Sequence, residues 1–416
     1  MKISDVAGPS RPEGAPSAAE AEADRVLLVL PQPFFEDRGT SIALAHMLRA
    51  LSELRYGADF LSFPQGTRLQ IPGVDFIRTR DPFGFRHVPI GFSLKKLLLD
   101  VFLYVRLRAQ LRRRRYLYVH AVEEAAYMAA LLRRKAGAFV LYDMASSLPE
   151  QLAQYRQFRT RWVQSLLGSL ERWALRNVDL VVCSAGLEQK VSALAPTTPV
   201  STWLYPSTLP KPDPDEVARL RLELGVPSGS RVVLYIGSFA KYQGLHVLTA
   251  ALPRVLATLS DVTFVLVGAS SESELNSVRR SIASAFSNRV RVQPRVPRRR
   301  VPAHMGLADL LVSPRTHGSN LPLKAFEYLD SGKPIVATDI PAHRLFFVDG
   351  TALLVKPTPA ALAEALIRVL SDDDVAGRLK DAAQAHARRH LGWQGFVEFV
   401  GDLLREVQQS SYRATR

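Results

Sequence analysis

Residues 309–338 read DLLVSPRTHGSNLPLKAFEYLDSGKPIVAT, and no other part of the chain is as informative. The apolar run at its start predicts a buried strand, which is followed by a Gly-Ser-Asn turn, a helix and a second strand. A helix that opens directly after a buried strand presents unpaired backbone N–H groups and the positive end of its dipole to phosphate or sugar oxygens. Glu327 lies in that helix, where its carboxylate can accept hydrogen bonds from hydroxyl groups. A nucleotide sugar needs both features.

The rest of the chain alternates apolar runs with amphipathic segments, which is typical of βαβ units and of a parallel sheet covered on both faces. Strands are predicted at 25–30, 58–63, 74–79, 116–120, 138–143, 179–183 and 200–204, and again at 231–236, 262–267, 290–293, 309–313, 334–338 and 352–355. Helices are predicted at 40–54, 92–114, 122–135, 150–177 and 186–194, and again at 244–259, 272–286, 320–331, 341–348, 359–370 and 375–390. The proline-rich segment 206–214 breaks this rhythm and is interpreted as a linker. The predicted fold class is α/β, with two Rossmann-like, doubly wound domains that face each other across a cleft.

The amino-acid composition excludes some kinds of site and favours one kind of ligand. The chain has 416 residues, 47% of them hydrophobic, enough for two cores. Its single cysteine, Cys183, excludes an internal disulfide and a cysteine-based zinc site, and is consistent with a reducing cytoplasm. Residues 1–24 are expected to be a disordered tail and not a signal peptide, and no run of apolar residues is long enough to span a membrane. The net charge of +15 favours anionic ligands.

The 309–338 stretch resembles the donor-binding motif of the family 4 glycosyltransferases, a retaining group with the GT-B fold. The family pattern is similar to E-G-x-G-x-x-x-x-E-A-x-x-x-G-x-P, and Glu327, Gly332 and Pro334 stand in its second Glu, Gly and Pro places, while Ser319 stands in the first Glu place. The resemblance implies an acceptor-side domain over 25–205, a nucleotide-sugar-binding domain over 215–390, and a helix in 391–416 that crosses back to the first domain. It also implies that Glu327 holds the nucleotide ribose.

Donor-binding residues are expected in loops that follow strands of the second domain. The loop after 231–236 carries Gly237, Ser238, Lys241 and Gln243, where the family usually has G-R-x-x-x-x-K-G. Since Ser238 and Gln243 replace the two cations of that pattern, the charge that neutralises a diphosphate must come from elsewhere. The nearby candidates are Lys241, Arg315 and Lys324, for which ordinary solvated cations are the alternative. The remaining donor-side candidates in the second domain are Ser319, Asn320, Leu321 and Glu327.

The first domain supplies fewer candidates. Gly39 and Thr40 follow the first strand, where the family has a glycine-rich loop, although Thr40 is equally a candidate helix N-cap. His120 matches the first His of a family H-x-H pattern whose second place holds Val122. His120 and Glu124 are the candidate catalytic, acceptor-side residues. The alternatives are a core histidine that closes its strand and a first-turn acid that stabilises a helix N-terminus.

Two further loops depart from family or metal-site patterns. The sequence DMASSLPE at 143–150 is similar to a family loop that reads D-M-H-S-S-L-P-E, with Ala145 in place of the histidine. Asp372-Asp373-Asp374 looks like a metal site but lies between two predicted helices, so that helix capping explains it better. The arginine-rich segment 295–300 lacks interleaved aromatic residues and is interpreted as a solvated loop and helix start, so no nucleic acid partner is expected.

The basic stretch 95–115 has a second possible role. Its apolar residues share one helix face or nearly so: Leu94, Leu97, Leu98, Val101, Phe102, Val105 and Leu111. With the basic residues around them, and with Trp162 and the arginines of the next long helix, they could bind an anionic membrane as a peripheral surface. A domain helix with its apolar side in the core is an equally good explanation.

The resemblance therefore implies a retaining, metal-independent hexosyltransferase that needs no cofactor and uses a nucleotide diphosphate sugar as donor. The acceptor is expected to be a glycan or a lipid-linked molecule, and the location cytoplasmic, with possible attachment to the inner face of the membrane. The alternative from another class is a GT-B module that binds nucleotide or sugar without catalysis and serves a partner. A sugar-nucleotide epimerase of the same shape fits the 315–334 segment less well, and a nucleic-acid-binding protein rests on charge alone.

Overall fold

The computed structural model describes residues 25–414 apart from 36–38, 68, 86–87, 89–91, 154, 203–204, 318–322 and 349. These residues form two parallel sheets. The strands of the first are β1 (Arg25–Leu30), β2 (Gly57–Ser62), β3 (Val74–Arg78), β4 (Val119–Val122), β5 (Val140–Met144), β6 (Leu180–Cys183) and β7 (Val200–Thr202). Those of the second are β8 (Arg231–Ile236), β9 (Val262–Ala269), β10 (Val290–Pro294), β11 (Leu310–Ser313), β12 (Ile335–Thr338) and β13 (Leu353–Val355).

Helices cover both sheets. Those of the first half of the chain are α1 (Gly39–Glu53), α2 (Leu94–Arg113), α3 (Glu124–Ala136), α4 (Leu148–Leu152), α5 (Arg161–Arg176) and α6 (Ala185–Leu194). Those of the second half are α7 (Pro214–Glu223), α8 (Leu245–Thr258), α9 (Glu272–Arg280), α10 (Val301–Leu307), α11 (Leu323–Asp330), α12 (Pro341–Arg344), α13 (Pro359–Ser371), α14 (Asp373–His390) and α15 (Trp393–Ala414). None of them, within the described ranges, combines the length and the apolar character that a bilayer crossing requires.

The strand order explains where a ligand can bind. It is β3-β2-β1-β4-β5-β6-β7 in the first sheet and β10-β9-β8-β11-β12-β13 in the second. In each sheet the order reverses once, between β1 and β4 and between β8 and β11. Loops diverge at such a switch point and leave a crevice outside the carboxyl ends of the strands. The predicted α/β class with two doubly wound sheets is confirmed.

The last helix belongs to the first sheet although it follows the second in sequence. Its apolar residues, among them Phe396, Val400 and Leu404, are buried in one core cluster with strand β1 and helix α1. The Trp393 indole nitrogen donates a hydrogen bond of 2.8 Å to Glu53 at the end of α1. Side chains from the two ends of the chain therefore share one hydrophobic core.

Several predicted boundaries were wrong. Strand β4 covers 119–122 and not 116–120, so that His120 lies inside the strand and not at its end. The predicted helix 150–177 is divided into α4, a short 3₁₀ turn and α5, and the predicted helix 272–286 ends at Arg280. Helix α7 was not predicted, and for α10 only a helix start at 295–300 was predicted, because each helix is short and proline stands in its first turn. Helix α7 begins at Pro214, the last residue assigned to the linker.

Helix α2 has two apolar faces, and the sequence pattern identified the outer one. Leu99, Leu103 and Leu107 are completely buried in the core of the first domain. Leu94, Leu97, Leu98, Val101 and Val105, which were predicted to share a face, are exposed by 43 to 74% of their surface. The core stripe at a spacing of four residues holds the helix on the sheet. Five residues of the predicted stripe are open to solvent, whereas Leu111 packs against the core cluster and Phe102 is half-buried.

These two faces make opposite predictions for stability. Leu103→Ala removes buried methyl groups and leaves a cavity, so it should lower the free energy of unfolding by about 2–5 kcal/mol. Leu94→Ala, on the exposed face, is the matched control and should change it by no more than about 0.5 kcal/mol. Urea unfolding followed by circular dichroism measures both. Equal losses for the two variants would contradict the assignment of the faces.

Candidate active site

A cavity of about 390 Å³ lies between the two sheets, where the switch points of both face each other. Its first-domain lining consists of Gly39, Thr40, Ala43, Val122, Asp143, Met144, Ala145, Cys183 and Ser184. Its remaining lining consists of Tyr205, Gly237, Ser238, Tyr242, Gln243, Arg315 and Lys324. Most of these residues end or follow the strands β4, β5, β6, β8 and β11. Gly39, Thr40 and Ala43 lie at the start of helix α1, and Lys324 lies in helix α11. The cavity is therefore built from the strand ends where parallel sheets bind ligands.

Glycine allows the backbone of the second domain to approach this cavity. Gly237, directly after β8, has φ of 155°, and a Cβ atom there would lie 2.9 Å from the Lys324 Nζ atom. Gly244 has φ of 73°, and a Cβ atom there would lie 1.8 Å from the carbonyl oxygen of Pro314. Larger residues would strain the backbone at both positions. The two glycines bring the 237–244 loop against the loop that carries Arg315.

Lys324 supplies the cation that the glycine-flanked loop lacks. Its Nζ atom donates a hydrogen bond of 3.0 Å to Oε1 of Gln243, the residue that stands in the place of the family lysine. The same atom lies 4.5 Å from the centroid of the Tyr235 ring. Burial, with a smaller contribution from the like charge of Arg315, lowers the pKa of Lys324 to about 7. Helix α11 thus places an ammonium group beside the position where the family pattern has one.

Arg315 is the second cation of the cavity. Its side chain is almost completely buried, its Nε atom donates a hydrogen bond of 2.9 Å to the carbonyl oxygen of His317, and its guanidinium lies 5.3 Å from the ring centroid of Tyr242. Burial lowers its pKa, although an arginine stays protonated in proteins. A buried guanidinium held by a carbonyl group and a ring is a rigid fork that suits a phosphate or a carboxylate.

The first-domain wall contains a carboxylate that the sequence analysis did not select. Asp143, near the end of β5, lines the cavity, and its Oδ2 atom is 3.1 Å from Nε2 of His120. His120 itself is fully buried inside β4 and does not line the cavity, but it contacts Asp143, which does. The rule that selects residues at the ends of parallel strands would have identified Asp143, since it ends the predicted strand 138–143.

Glu124 and Glu327 do not line the cavity. Glu124, in the first turn of α3, forms an ion pair with Lys96 of α2. Glu327, in α11, accepts a hydrogen bond of 2.7 Å from Nη1 of Arg298. Burial raises the pKa of Glu327, while Arg298 acts in the opposite direction.

The cavity brings together most of the candidates that the sequence predicts for the donor site. They are Gly39, Thr40, Gly237, Ser238, Gln243, Arg315 and Lys324. Lys241 is exposed and lines a separate hollow between α8 and α9. Ser319, Asn320 and Leu321 lie outside the described residues.

The aspartate run 372–374 and the arginine-rich segment 295–300 lie outside the cavity. The side chain of Asp372 accepts a hydrogen bond of 3.0 Å from the backbone N–H of Val375, so it caps helix α14 as predicted. In the arginine-rich segment, Arg298 and Arg300 form ion pairs with Glu327 and Glu223, and both arginine side chains remain partly exposed.

The comparisons with known families cover both sheets. Residues 38–198 match a family model described as glycosyl transferase 4-like domain, and residues 230–372 match one described as glycosyl transferases group 1. This chain belongs to the family 4 glycosyltransferases. The first match contains α1 and the strands β2 to β6, and the second contains β8 to β13.

Curated relatives of this chain match over part of their length. The chain is 32% identical over 172 residues to phosphatidyl-myo-inositol mannosyltransferase of Mycobacterium leprae, covering 41% of this chain and 45% of that protein. It is 31% identical over 223 residues to D-inositol 3-phosphate glycosyltransferase of Xylanimonas cellulosilytica, covering 52% and 51%. The matched region therefore spans about half the length of these relatives.

Solved structures share the fold over almost the whole chain. A sucrose-phosphate synthase from Thermosynechococcus elongatus has a TM-score of 0.74 at 20% identity, covering 93% of this chain and 100% of that one. Anabaena HepE, solved with UDP-glucose, has a TM-score of 0.70 at 19% identity, covering 92% and 99%. The architecture of the family 4 chain is thus GT-B.

Proposed function

We propose that this chain transfers a hexose from a nucleotide diphosphate sugar to a hydroxyl group of a glycan or lipid-linked acceptor. One observation carries the proposal: the cavity at the two switch points contains Lys324 and Arg315, and within the described ranges no carboxylate forms an ion pair with Lys324. A site that concentrates positive charge in a buried position favours an anionic ligand. The names of the relatives, which describe mannosyl and glycosyl transfer, support a sugar donor.

The diphosphate of the donor is placed against Arg315 and Lys324. The guanidinium can donate two parallel hydrogen bonds to one phosphate, and the ammonium neutralises the other as a point charge. The hydroxyl of Ser238 and the amide of Gln243 lie in the same wall and can donate further hydrogen bonds. The residues that replace the family cations would then act as polar donors while the charge comes from elsewhere.

Transfer requires that the departing diphosphate be stabilised more strongly than the bound donor. Cations fixed in a water-poor cavity achieve this, because they need no reorganisation as negative charge develops on the leaving oxygen. Closure of the two domains would exclude water, so that the acceptor hydroxyl attacks. Retention of anomeric configuration and independence of a metal are part of this proposal and follow from the resemblance to the family.

The acceptor side is placed on the wall formed by β4 and β5. Asp143 can accept a hydrogen bond from an acceptor or sugar hydroxyl, and His120, which is behind it, fixes the orientation of that carboxylate. His120 is therefore proposed as a positioning residue for Asp143. Glu124 is proposed to act indirectly on this wall, because its ion pair with Lys96 joins α3 to α2.

A second candidate function is a binding module without catalysis. Val122, Ala145, Ser238 and Gln243 all line the cavity in places where the family patterns have an ionisable group. A panel of UDP-, GDP- and ADP-sugars separates the two functions, with binding measured by thermal shift and hydrolysis or transfer by release of the diphosphate. Turnover of a bound donor supports the transferase, and tight binding without turnover supports the module.

Replacement of Lys324 tests the donor site. Lys324→Met should weaken binding of the accepted nucleoside diphosphate by about 2 kcal/mol, or roughly 30-fold, because a charge-assisted hydrogen bond is lost. Lys356→Met removes the same charge from an exposed position and is the matched control. Isothermal titration calorimetry measures both. The same affinity for Lys324→Met and the control would contradict the placement of the diphosphate.

We also propose that the first domain binds an anionic membrane surface, which would give access to a lipid-linked acceptor. Besides the exposed apolar face of α2, helix α5 exposes Trp162, Leu166 and Leu170 at a spacing of four residues, and both helices pack against α3. Exposed basic residues flank both stripes: Lys95, Arg108, Arg112, Arg113, Arg161, Arg172 and Arg176. Apolar residues surrounded by cations are the combination that interfacial helices use.

Flotation with vesicles tests this surface. The wild type should float with vesicles that contain anionic lipid and not with neutral vesicles, and added salt should reduce binding because it screens the basic side chains. The Val101→Glu, Val105→Glu double variant should bind at least about tenfold less, since two apolar contacts are lost and negative charge is added. Leu222→Glu, exposed on the second domain, is the control. Equal binding of the wild type to anionic and to neutral vesicles would refute the proposal.

A further inference from the structure

Arg298 forms an ion pair with Glu327 and has no role in the donor binding proposed above. It follows β10 in a short 3₁₀ turn over 298–300, and its Nη1 atom donates a hydrogen bond of 2.7 Å to Oε1 of Glu327 in α11. The Glu327 side chain is 13% exposed and that of Arg298 27%. The ion pair thus closes one side of Glu327 and leaves a small part of it accessible.

The turn that carries Arg298 is fixed on both sides. Pro297 precedes it, with φ restricted by its ring. Arg300 forms an ion pair with Glu223 of α7, and its carbonyl oxygen lies 2.7 Å from Nδ1 of His304 in α10. Arg298 is therefore presented to Glu327 from a turn that is tied to two helices.

The two oxygens of Glu327 are in different situations. Oε1 accepts the hydrogen bond from Arg298, whereas Oε2 accepts none from the residues that the structure describes. Burial alone would favour the neutral carboxyl, which loses acceptor capacity. Among the described residues, Arg298 is the charged group whose field opposes that effect. A carboxylate with one oxygen held and the other available suits a vicinal diol.

We propose that Arg298 is a positioning residue that orients the Glu327 carboxylate to accept hydrogen bonds from the vicinal hydroxyls of a nucleotide ribose. The inference rests on the proposed function, since it takes a nucleotide diphosphate sugar as the donor. Arg298 contacts Glu327 and not the ribose, so its effect is transmitted through the carboxylate.

Arg298 also lies close to the first domain. Burial, and then the positive charges of Arg298 and Arg49, lower the pKa of His46 in α1 to about 4, so that His46 is neutral near pH 7. Its Nε2 atom lies 2.8 Å from the hydroxyl of Thr208, in the segment between the two sheets. A neutral imidazole does not repel Arg298, and the guanidinium remains directed to Glu327.

The experiment compares a ribonucleotide with an analogue that lacks the hydroxyls. UDP, GDP and ADP are titrated calorimetrically into the wild type, and the one that binds is then compared with its 2′,3′-dideoxy form at pH 6 and pH 8. The ratio of the two affinities cancels contributions from the phosphates and from Lys324, which act on both nucleotides alike. The variants are Arg298→Gln, Arg298→Lys, Glu327→Gln and the matched control Arg299→Gln, an exposed arginine next in sequence.

We expect the wild type and Arg299→Gln to prefer the ribonucleotide by about tenfold or more. Arg298→Gln should lose most of this preference at pH 6 and regain part of it at pH 8, because the pKa of Glu327 rises when the cation is removed and the carboxylate forms only above that pKa. Arg298→Lys should keep an intermediate preference at both pH values. Glu327→Gln should lose much of the preference at both pH values.

Four outcomes separate the inference from the proposed function. If Glu327→Gln loses the preference and Arg298→Gln keeps it, the role of Arg298 is overturned and the donor site stands. If Arg298→Gln weakens both nucleotides equally, Arg298 contacts phosphate or base, and the positioning role is overturned. If the wild type shows no preference, Glu327 does not bind ribose. If no nucleoside diphosphate binds, the proposed function fails as well.

Discussion

The site depends on a buried lysine, Lys324, with which no carboxylate in the part of the chain that the structure describes forms an ion pair. Lys324 donates a hydrogen bond to the neutral amide of Gln243, and its ammonium group lies over the ring of Tyr235. A second cation, Arg315, is close enough to destabilise the charged form of the lysine. Transfer of a charge from water to such an environment costs free energy that an amide and a ring offset only in part. An anion in the cavity would supply the missing compensation. The electrostatics of the site therefore favour an anionic ligand.

The fold explains why this lysine faces the first domain. Both sheets reverse their strand order once, and the loops that diverge there leave a crevice at the carboxyl ends of the strands. Helix α11 follows β11 at the switch point of the second sheet, and the glycines of the 237–244 loop allow backbone and side chain to approach closely. Asp143 is presented at the corresponding edge of the first sheet, and helix α15 returns to that sheet and shares its core. Cations from one half and a carboxylate from the other thus line one cavity.

The sequence predicts the layout well because buried parallel strands are nearly continuous apolar runs. It predicts strand boundaries less well: the run YLYVH at 116–120 contains two buried tyrosines, but strand β4 starts only at Val119. On α2, leucine or valine recurs so often that two stripes fit a helical period, and only the packed structure shows that Leu103 faces the core. The Arg298–Glu327 pair joins residues 29 positions apart in different elements, which no local pattern can indicate. The relocation of the cation from position 243 to Lys324 likewise depends on how two loops meet.

The most direct measurement is the proton balance of nucleotide binding. With the cavity empty, the pKa of Lys324 is about 7, so at pH 8 most of the lysine is neutral. A bound diphosphate favours the ammonium and raises that pKa, so binding at pH 8 should take up close to one proton per site. Calorimetric titration of the wild type in two buffers with different ionisation enthalpies gives this number. The account predicts an uptake that disappears in Lys324→Met, and an enthalpy that is the same in both buffers for the wild type would contradict it.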